Sequence, residues 1–377
     1  MKIALFGGSF DPVHQEHVQL VLAAQKTLGF DRVIVLPAYI SPFKRQGASA
    51  SGKDRFEMCK IAFKELPFVT VSDFELAAGD VSYSYLTCRH FREIYPEDEL
   101  YFLLGADSLQ AFSKWKKPEE ILRCVTLCAV GRGSLETEQA CAEIEKLFNA
   151  HIVRLPYTGE DVSSTRIRVE LLFGKKPKAI DENVFVYIRK EGLYTHPSVL
   201  PALALEKESR REHSFRVALL SAACAPRFGI SQEQAILASA LHDCGKYVPL
   251  DSPLLKGFTP PSGVPAPVLH QFTGAFLAER EFGITDEEVL DAICYHTSGR
   301  ANMTKLGELV FLADMLEEDR DFDGVERLRK VLQIELDECF LLSLEEQINY
   351  LKASGKEVYP LTMQAFEWAK RRKTTST

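Results

Sequence analysis

The chain has 377 residues, 46% of them hydrophobic and 26% charged, with a formal net charge of −8. That length exceeds one ordinary core and sets two domains as the expectation. The acidic balance argues against a broad nucleic-acid-binding face but leaves room for a local basic pocket that takes phosphates. No apolar run approaches the roughly 20 residues a bilayer span needs, and Met1-Lys2-Ile3-Ala4 lacks a signal-peptide layout, so no membrane association is expected. Nine cysteines are scattered without a CxxC pair. They read as reduced, mostly buried thiols in a cytoplasmic setting.

In chain order, Lys2–Phe6 is a predicted strand, followed by a Gly-rich turn and a helix from about Pro12 to Leu28. Arg32–Pro37, Leu100–Gly105 and Val125–Val130 are further predicted strands. Strands separated by helices imply a parallel sheet covered on both faces. Residues 46–52 are small and polar and read as a loop. After Gly192-Leu193-Tyr194-Thr195-His196 the pattern breaks. Residues 197–205, punctuated by Pro197 and Pro201, read as a short, compact linker. From Glu206 onward strand signals vanish, and helices are expected over about 206–228, 231–244, 267–282, 286–296, 305–316 and 325–351. The expected division is therefore 1–196, a linker, and 206–377.

Two constellations carry chemistry in the first half. Gly7-Gly8-Ser9-Phe10-Asp11-Pro12-Val13-His14 ends a strand and opens a helix, where backbone N–H groups and the dipole favour phosphate. His14 and His17, three apart, are expected on one face of the first helical turn. There imidazoles can stabilise charge on a transferring phosphoryl group. Far downstream, Val162-Ser163-Ser164-Thr165-Arg166-Ile167-Arg168 offers hydroxyls at a helix start followed by cations. On its own that pattern is equally a capping motif. Lys44 and Arg132 lie beyond strand C-terminal ends, where open α/β sheets bind ligands.

Together these residues resemble the nicotinate-mononucleotide adenylyltransferase family, whose marks are G-G-x-F-D-P-x-H-x-x-H and S-S-T-x-I-R. The resemblance spans about Met1 to Tyr194 and includes Leu104–Ser108 and Lys114-Trp115. It implies a Rossmann-like nucleotidyltransferase domain that transfers AMP from ATP to nicotinate mononucleotide. It also implies Mg²⁺ bridging the ATP phosphates. On that resemblance His14, His17, Lys44 and Arg168 cradle the phosphates; Gly7, Gly8, Ser9 and Phe10 shape the turn; Ser163, Ser164 and Thr165 hold the triphosphate end; Trp115 stacks on the pyridine ring; and Asp107 meets ribose hydroxyls or the metal. The chain departs from the family at Glu16, where Gly is usual, at Phe43, where His is usual, and at Leu86, where an acid is usual. These departures put rate and mononucleotide preference in question, and leave a nucleotide-binding regulatory module as the alternative for this half.

In the second half the histidines matter. His213, His242, His270 and His296 each fall on or near a predicted helix, His242 is followed directly by Asp243, and Asp314 sits in an apolar helical context. A carboxylate there is costly to bury without a cation. Imidazole with carboxylate suits Fe, Mn, Zn or Mg, and the lack of Cys ligands argues against a structural zinc site. The order H…HD…D resembles the HD-domain phosphohydrolases. With Gly245-Lys246, His270, His296-Thr297 and Ala313-Asp314, the segment most resembles the subfamily that splits diadenosine tetraphosphate into two ADP. That resemblance implies an all-α HD domain with a divalent metal, iron first, held by His213, His242, Asp243 and Asp314, and phosphates gripped by Lys246, His270, His296 and Thr297. Two alternatives stay open: His270 and His296 as ligands of a second metal, and a guanosine alarmone, cyclic dinucleotide or nucleoside monophosphate as substrate. The expected partners are thus small nucleotides, with a homo-oligomer neither required nor excluded.

Overall fold

The computed structural model describes residues 1–40, 48–131, 135–160 and 162–375. It divides into two compact units, Met1–Arg168 with Lys176–Tyr194, and Val169–Lys175 with Thr195–Thr377.

In the first unit six strands, β1 (Lys2–Gly8), β2 (Arg32–Pro37), β3 (Val69–Val71), β4 (Glu99–Gly105), β5 (Thr126–Gly131) and β6 (Ile152–Pro156), form one sheet. Every pairing is parallel, in the order β3-β2-β1-β4-β5-β6. Helices α1 (Gln15–Leu28), α2 (Gly52–Phe63), α3 (Phe74–Ala78), α4 (Ser84–Ile94), α5 (Ala106–Ala111), α6 (Pro118–Cys124), α7 (Leu135–Phe148), α8 (Ser164–Leu172) and α9 (Glu182–Glu191) complete the unit, with α8 running past Arg168 into the second. Ile3, Ala4, Leu5 and Phe6 are all buried, as a strand covered on both faces requires. The central strand β1 has β2 on one side and β4 on the other, so the chain reverses its direction of travel across the sheet there. The C-terminal end of β1, at Gly7-Gly8, is therefore the crevice where such sheets bind ligands.

All four expected strands are present. The two unforeseen ones lie at the sheet edges: β3 has only three residues, and β6 carries Arg154 and ends on Pro156. The first helix starts at Gln15 and not near Pro12, because Phe10 takes a positive φ of 47° and His14 is extended (φ −141°, ψ 172°). His14 is thus the residue that caps the helix, with His17 in its first turn.

The second unit is helical: α10 (Val199–Ala204), α11 (Glu208–Cys224), α12 (Gln232–Leu241), α13 (Leu269–Arg280), α14 (Glu287–Tyr295), α15 (Lys305–Leu316), α16 (Val325–Leu332), α17 (Leu336–Ala353) and α18 (Pro360–Thr375). Its core runs through Ala218, Leu241, Leu309, Leu312 and Phe340. The segment expected as a linker is α10, and Val199, Ala202 and Leu203 lie in that core. Its prolines end up at or before the first turn, where they are tolerated, and its apolar residues pack. The helix expected over 325–351 is two, and at the break between them Arg227 donates at 2.6 Å to the carbonyl of Gln333, the residue that caps the end of α16.

Seven of the nine cysteines are buried and all are free thiols. Among the described residues no helix is long and apolar enough to cross a membrane.

Candidate active sites

In the first unit the two distant motifs meet. Ser164 Oγ donates to the Pro12 carbonyl at 2.9 Å, and Arg168 Nη1 donates to the Asp11 carbonyl at 2.6 Å. Ser163 caps α8 by accepting from the Arg166 N–H at 3.2 Å, and Arg168 Nη2 reaches Thr165 Oγ1 at 3.3 Å. Arg168 is buried and braces the turn.

The turn itself is tightly packed. A Cβ at Gly8 would sit 3.1 Å from the Phe10 ring, and the Phe10 and His17 rings meet edge-on at 5.0 Å. The His14 and His17 rings are 3.8 Å apart. The His14 backbone N–H donates to His17 Nδ1 at 3.1 Å. A neutral His17 accepting there must carry its proton on Nε2, which makes it a donor. Burial lowers the His14 pKa to about 4, so this imidazole is neutral near pH 7.

Asp11, Tyr194 and Arg55, to which the sequence reading gave no role, hold this turn. Asp11 accepts from Ser49 N (2.8 Å), Ala50 N (3.1 Å) and Tyr194 Oη (2.8 Å). Arg55, 2% exposed, donates to the carbonyls of Ser9, Ala38, Ala50 and Tyr39. The signal for Arg55 was available: it falls on the same helical stripe as buried Met58 and Cys59. Asp107 is exposed in the first turn of α5, at the end of the strand beside β1. Trp115 is half-buried against Phe102 and Phe112. Lys44, Phe43 and Arg132 lie outside the described residues. The departure at Glu16 has a structural partner: Tyr157 Oη donates to Glu16 Oε2 at 2.8 Å, and a Cβ at Gly159 would fall onto that carboxylate.

In the second unit α11, α12, α14 and α15 converge. Ligand atoms of His213, His242 and Asp314 lie within 4.8 Å of one another, and so do those of His242, Asp243 and His296. The first ring nitrogens are already committed. His242 Nδ1 meets the Ser239 carbonyl at 2.7 Å, His296 Nδ1 the Ile293 carbonyl at 2.8 Å, and His213 Nδ1 Glu317 Oε1 at 3.0 Å. Carbonyls only accept, so His242 and His296 hold protons on Nδ1, and each ring in its neutral form turns an Nε2 lone pair inward. His242 Nε2 is buried with no hydrogen-bond partner, its nearest carboxylate oxygen being Asp243 Oδ2 at 3.4 Å. His213 Nε2 faces Asp314 Oδ1 at 2.9 Å. Lone pairs aimed at one another call for a proton or a cation between them, and this donor set suits a divalent transition metal.

Burial lowers the His242 pKa, but Asp243 and Asp314 outweigh it and raise it, so without a cation between them the ring and the carboxylate hold each other charged. Burial raises the Asp243 pKa, but His242, His270 and His296 outweigh it and hold the group well below the usual carboxylate range. Asp314 behaves alike through His213 and His242. Burial pushes the His296 pKa down to about 4. The predicted phosphate-binding residues also gather here. Lys246 Nζ is 3.1 Å from Asp243 Oδ2; His270 Nε2 is 3.1 Å from both His296 Nε2 and Thr297 Oγ1, and 3.2 Å from Asp243 Oδ1. Gln271 pins them by bonding the Ser298 backbone N–H and hydroxyl. A Cβ at Gly245 would lie 2.4 Å from Gly274 N, so α13 packs directly on the turn that follows α12. The sequence reading missed Glu317, three residues past Asp314, and the buried Glu206, whose pKa burial raises to about 7.

Comparison with known proteins adds to this geometry. Residues 5–170 match the cytidylyltransferase-like family and residues 210–319 the HD domain. A protein of Mycoplasma genitalium named "Probable nicotinate-nucleotide adenylyltransferase/Ap4A hydrolase" is 30% identical, aligned over 93% of this chain and 99% of its own length. The protein of the same name from Mycoplasma pneumoniae is 30% identical over 83% of this chain and 88% of its own. A "Probable nicotinate-nucleotide adenylyltransferase" of Thermus thermophilus is 39% identical over 52% of this chain and 100% of its own. A Rossmann-like nucleotidyltransferase domain followed by a helical HD domain, aligned almost end to end with the mycoplasma proteins, places the chain in the family they are named for, nicotinate-nucleotide adenylyltransferase/Ap4A hydrolase.

Proposed function

We propose that the chain is a bifunctional cytoplasmic nucleotide enzyme. Its first unit transfers AMP from ATP to nicotinate mononucleotide, and its second hydrolyses diadenosine tetraphosphate symmetrically to two ADP. The observation that carries the first half is the meeting of the Gly7–His17 turn with Ser164 and Arg168 at the C-terminal end of β1. The nucleophile is the mononucleotide's own phosphate, so the protein's task is positioning and charge stabilisation. His17, and His14 beside it, donate to the triphosphate; Gly8, Ser9, Ser163 and Thr165 line its path; Lys44, Arg132 and Arg168 add positive charge; Asp107 and Trp115 hold ribose and pyridine. Mg²⁺ accompanies the ATP.

The second half rests on the inward-facing nitrogens of His213, His242 and His296 beside Asp243 and Asp314. These residues would hold a divalent transition metal, iron in our reading, which supplies Lewis acidity for activating water near neutral pH. The fixed tautomers keep His242 and His296 oriented, Lys246, His270 and Thr297 take the phosphates, and the apolar helices around the cluster limit solvent.

Incubating the full chain with ATP and nicotinate mononucleotide should release pyrophosphate. Binding of ATP without release would make the first unit a regulatory module. Incubation with diadenosine tetraphosphate and Mn²⁺ or Fe²⁺ should yield ADP alone. AMP with ATP as products would overturn the symmetrical assignment, and no turnover would shift the substrate to another nucleotide.

A further inference from the structure

Two arginines with no role so far touch the carboxylates of the second unit's site. Arg210 lies in the first turn of α11, three residues before His213 and so on the same helical face. Its Nη1 is 3.0 Å from Asp243 Oδ2. Arg320 follows α15, and its Nη2 is 2.7 Å from the same Asp314 Oδ1 that faces His213, while its Nε donates to the Asp314 carbonyl at 2.8 Å. The two carboxylates differ from their arginines in exposure: the Asp243 side chain is 1% exposed and that of Asp314 19%, against 21% for Arg210 and 38% for Arg320. Each guanidinium is anchored at one edge and open at the other. Among the described residues, Arg210 makes no side-chain bond besides Asp243, and Arg320 Nη1 makes none.

The loop that carries Arg320 is held firmly. Arg329 donates to the carbonyls of Leu316, Glu317, Glu318 and Arg320, while Arg216 and the Asp319 N–H hold the Glu317 carboxylate. Such bracing holds the backbone from which Arg320 extends, and the bonds of its Nε and Nη2 to Asp314 leave Nη1 as the open edge. A guanidinium fork matches phosphate oxygens in pairs and keeps its charge at any working pH. Two forks thus reach the donor cluster, one through Asp243 and the other through Asp314.

We infer that Arg210 and Arg320 grip the phosphates on either side of the bond that is cleaved, one for each nucleoside diphosphate half. The inference deepens the hydrolase reading and rests on it. Two halves of equal charge leave a symmetrical cut, and each needs neutralisation as it departs; a cation on one side alone would serve one half only. Lys246 lies on the Asp243 side with Arg210, so Arg320 is the only residue assigned to the other.

The test uses the full chain loaded with Mn²⁺, with Arg210→Gln, Arg320→Gln and the matching Lys variants. Three quantities are read: KM and kcat for diadenosine tetraphosphate, Mn²⁺ affinity by direct titration, and the part of ADP binding that Asp314→Asn removes. Each Gln variant should raise KM and weaken that ADP binding about tenfold or more, Lys should recover part of the loss, and Mn²⁺ affinity should hold or rise because a competing cation has gone. Unchanged KM and ADP binding would overturn the inference. So would a parallel loss of Mn²⁺ affinity, which would make the arginines braces for the ligand carboxylates. Should the wild type leave diadenosine tetraphosphate intact yet bind ADP through both arginines, the phosphate role stands and the substrate assignment fails.

Discussion

At the scale of single residues, Asp243 joins most of the charged groups of the second unit's site. It faces His242, His270, His296, Lys246 and Arg210. Replacing it with Ala should abolish ADP formation and leave pyrophosphate release by the other unit unchanged; loss of both activities would refute independent sites. In the first unit Tyr157→Phe removes the hydroxyl that restrains Glu16. A stability loss of about 1 kcal/mol is expected, together with a higher KM for ATP at nearly constant kcat, since the freed carboxylate can swing toward the phosphates. A fall in kcat alone would count against this. Residue roles were only partly legible in the sequence. His14, His17, His213, His242 and Asp314 stand out because their spacing follows local geometry or a short motif. Asp11 and Glu317 did not, because their partners, Ser49, Ala50 and Tyr194 for the one and His213 and Arg216 for the other, are brought near only by folding.

At the scale of elements, the sheet could be read where strands are buried on both faces and therefore uniformly apolar, as in β1, β2, β4 and β5. The edge strands β3 and β6 lacked that pattern. The break between α16 and α17 carries no Gly or Pro to mark it, and the bond that meets it, Arg227 to Gln333, spans 106 residues. Contact between the turn after α12 and α13 yields a sharper expectation. The Cβ of Gly245→Ala would overlap backbone atoms of Gly274 and Thr273 Oγ1 at 2.4 to 2.8 Å, and no flexible side-chain tip can give way. The change should cost about 1–3 kcal/mol and disturb Asp243 two residues earlier. Calorimetry should show a lowered transition for the second unit, and metal titration a weakened affinity, with AMP transfer intact.

At the scale of the whole molecule, the two units carry buried titratable groups of opposite sign. His14 must gain a proton to reach its unfolded state in acid, so its contribution is present above its ordinary value of 6.5 and lost as pH falls toward about 4. Glu308, fully buried on α15 beside Arg372, has its pKa raised by burial from 4.5 to about 7. Its contribution is present below 4.5 and lost as pH rises through 7, a swing on the order of 3 kcal/mol. Glu308→Gln should therefore flatten the stability of the second unit between pH 4.5 and 7, and His14→Asn that of the first between 6.5 and 4. Thermal unfolding across that range, wild type against each variant, reads both; parallel curves would show that these groups do not set the trends.

The second unit borrows residues 169–175 from the middle of the stretch that builds the first. No single break in the chain can then yield two complete pieces. A cut after Tyr194 leaves the helical fragment without Val169 and Phe173, which belong to its core. A cut after Arg168 strips α9 and Tyr194 from the nucleotide-binding fragment. Splitting the gene for separate expression therefore calls for overlapping fragments, one ending near residue 194 and the other beginning near residue 169, with the shared segment made twice.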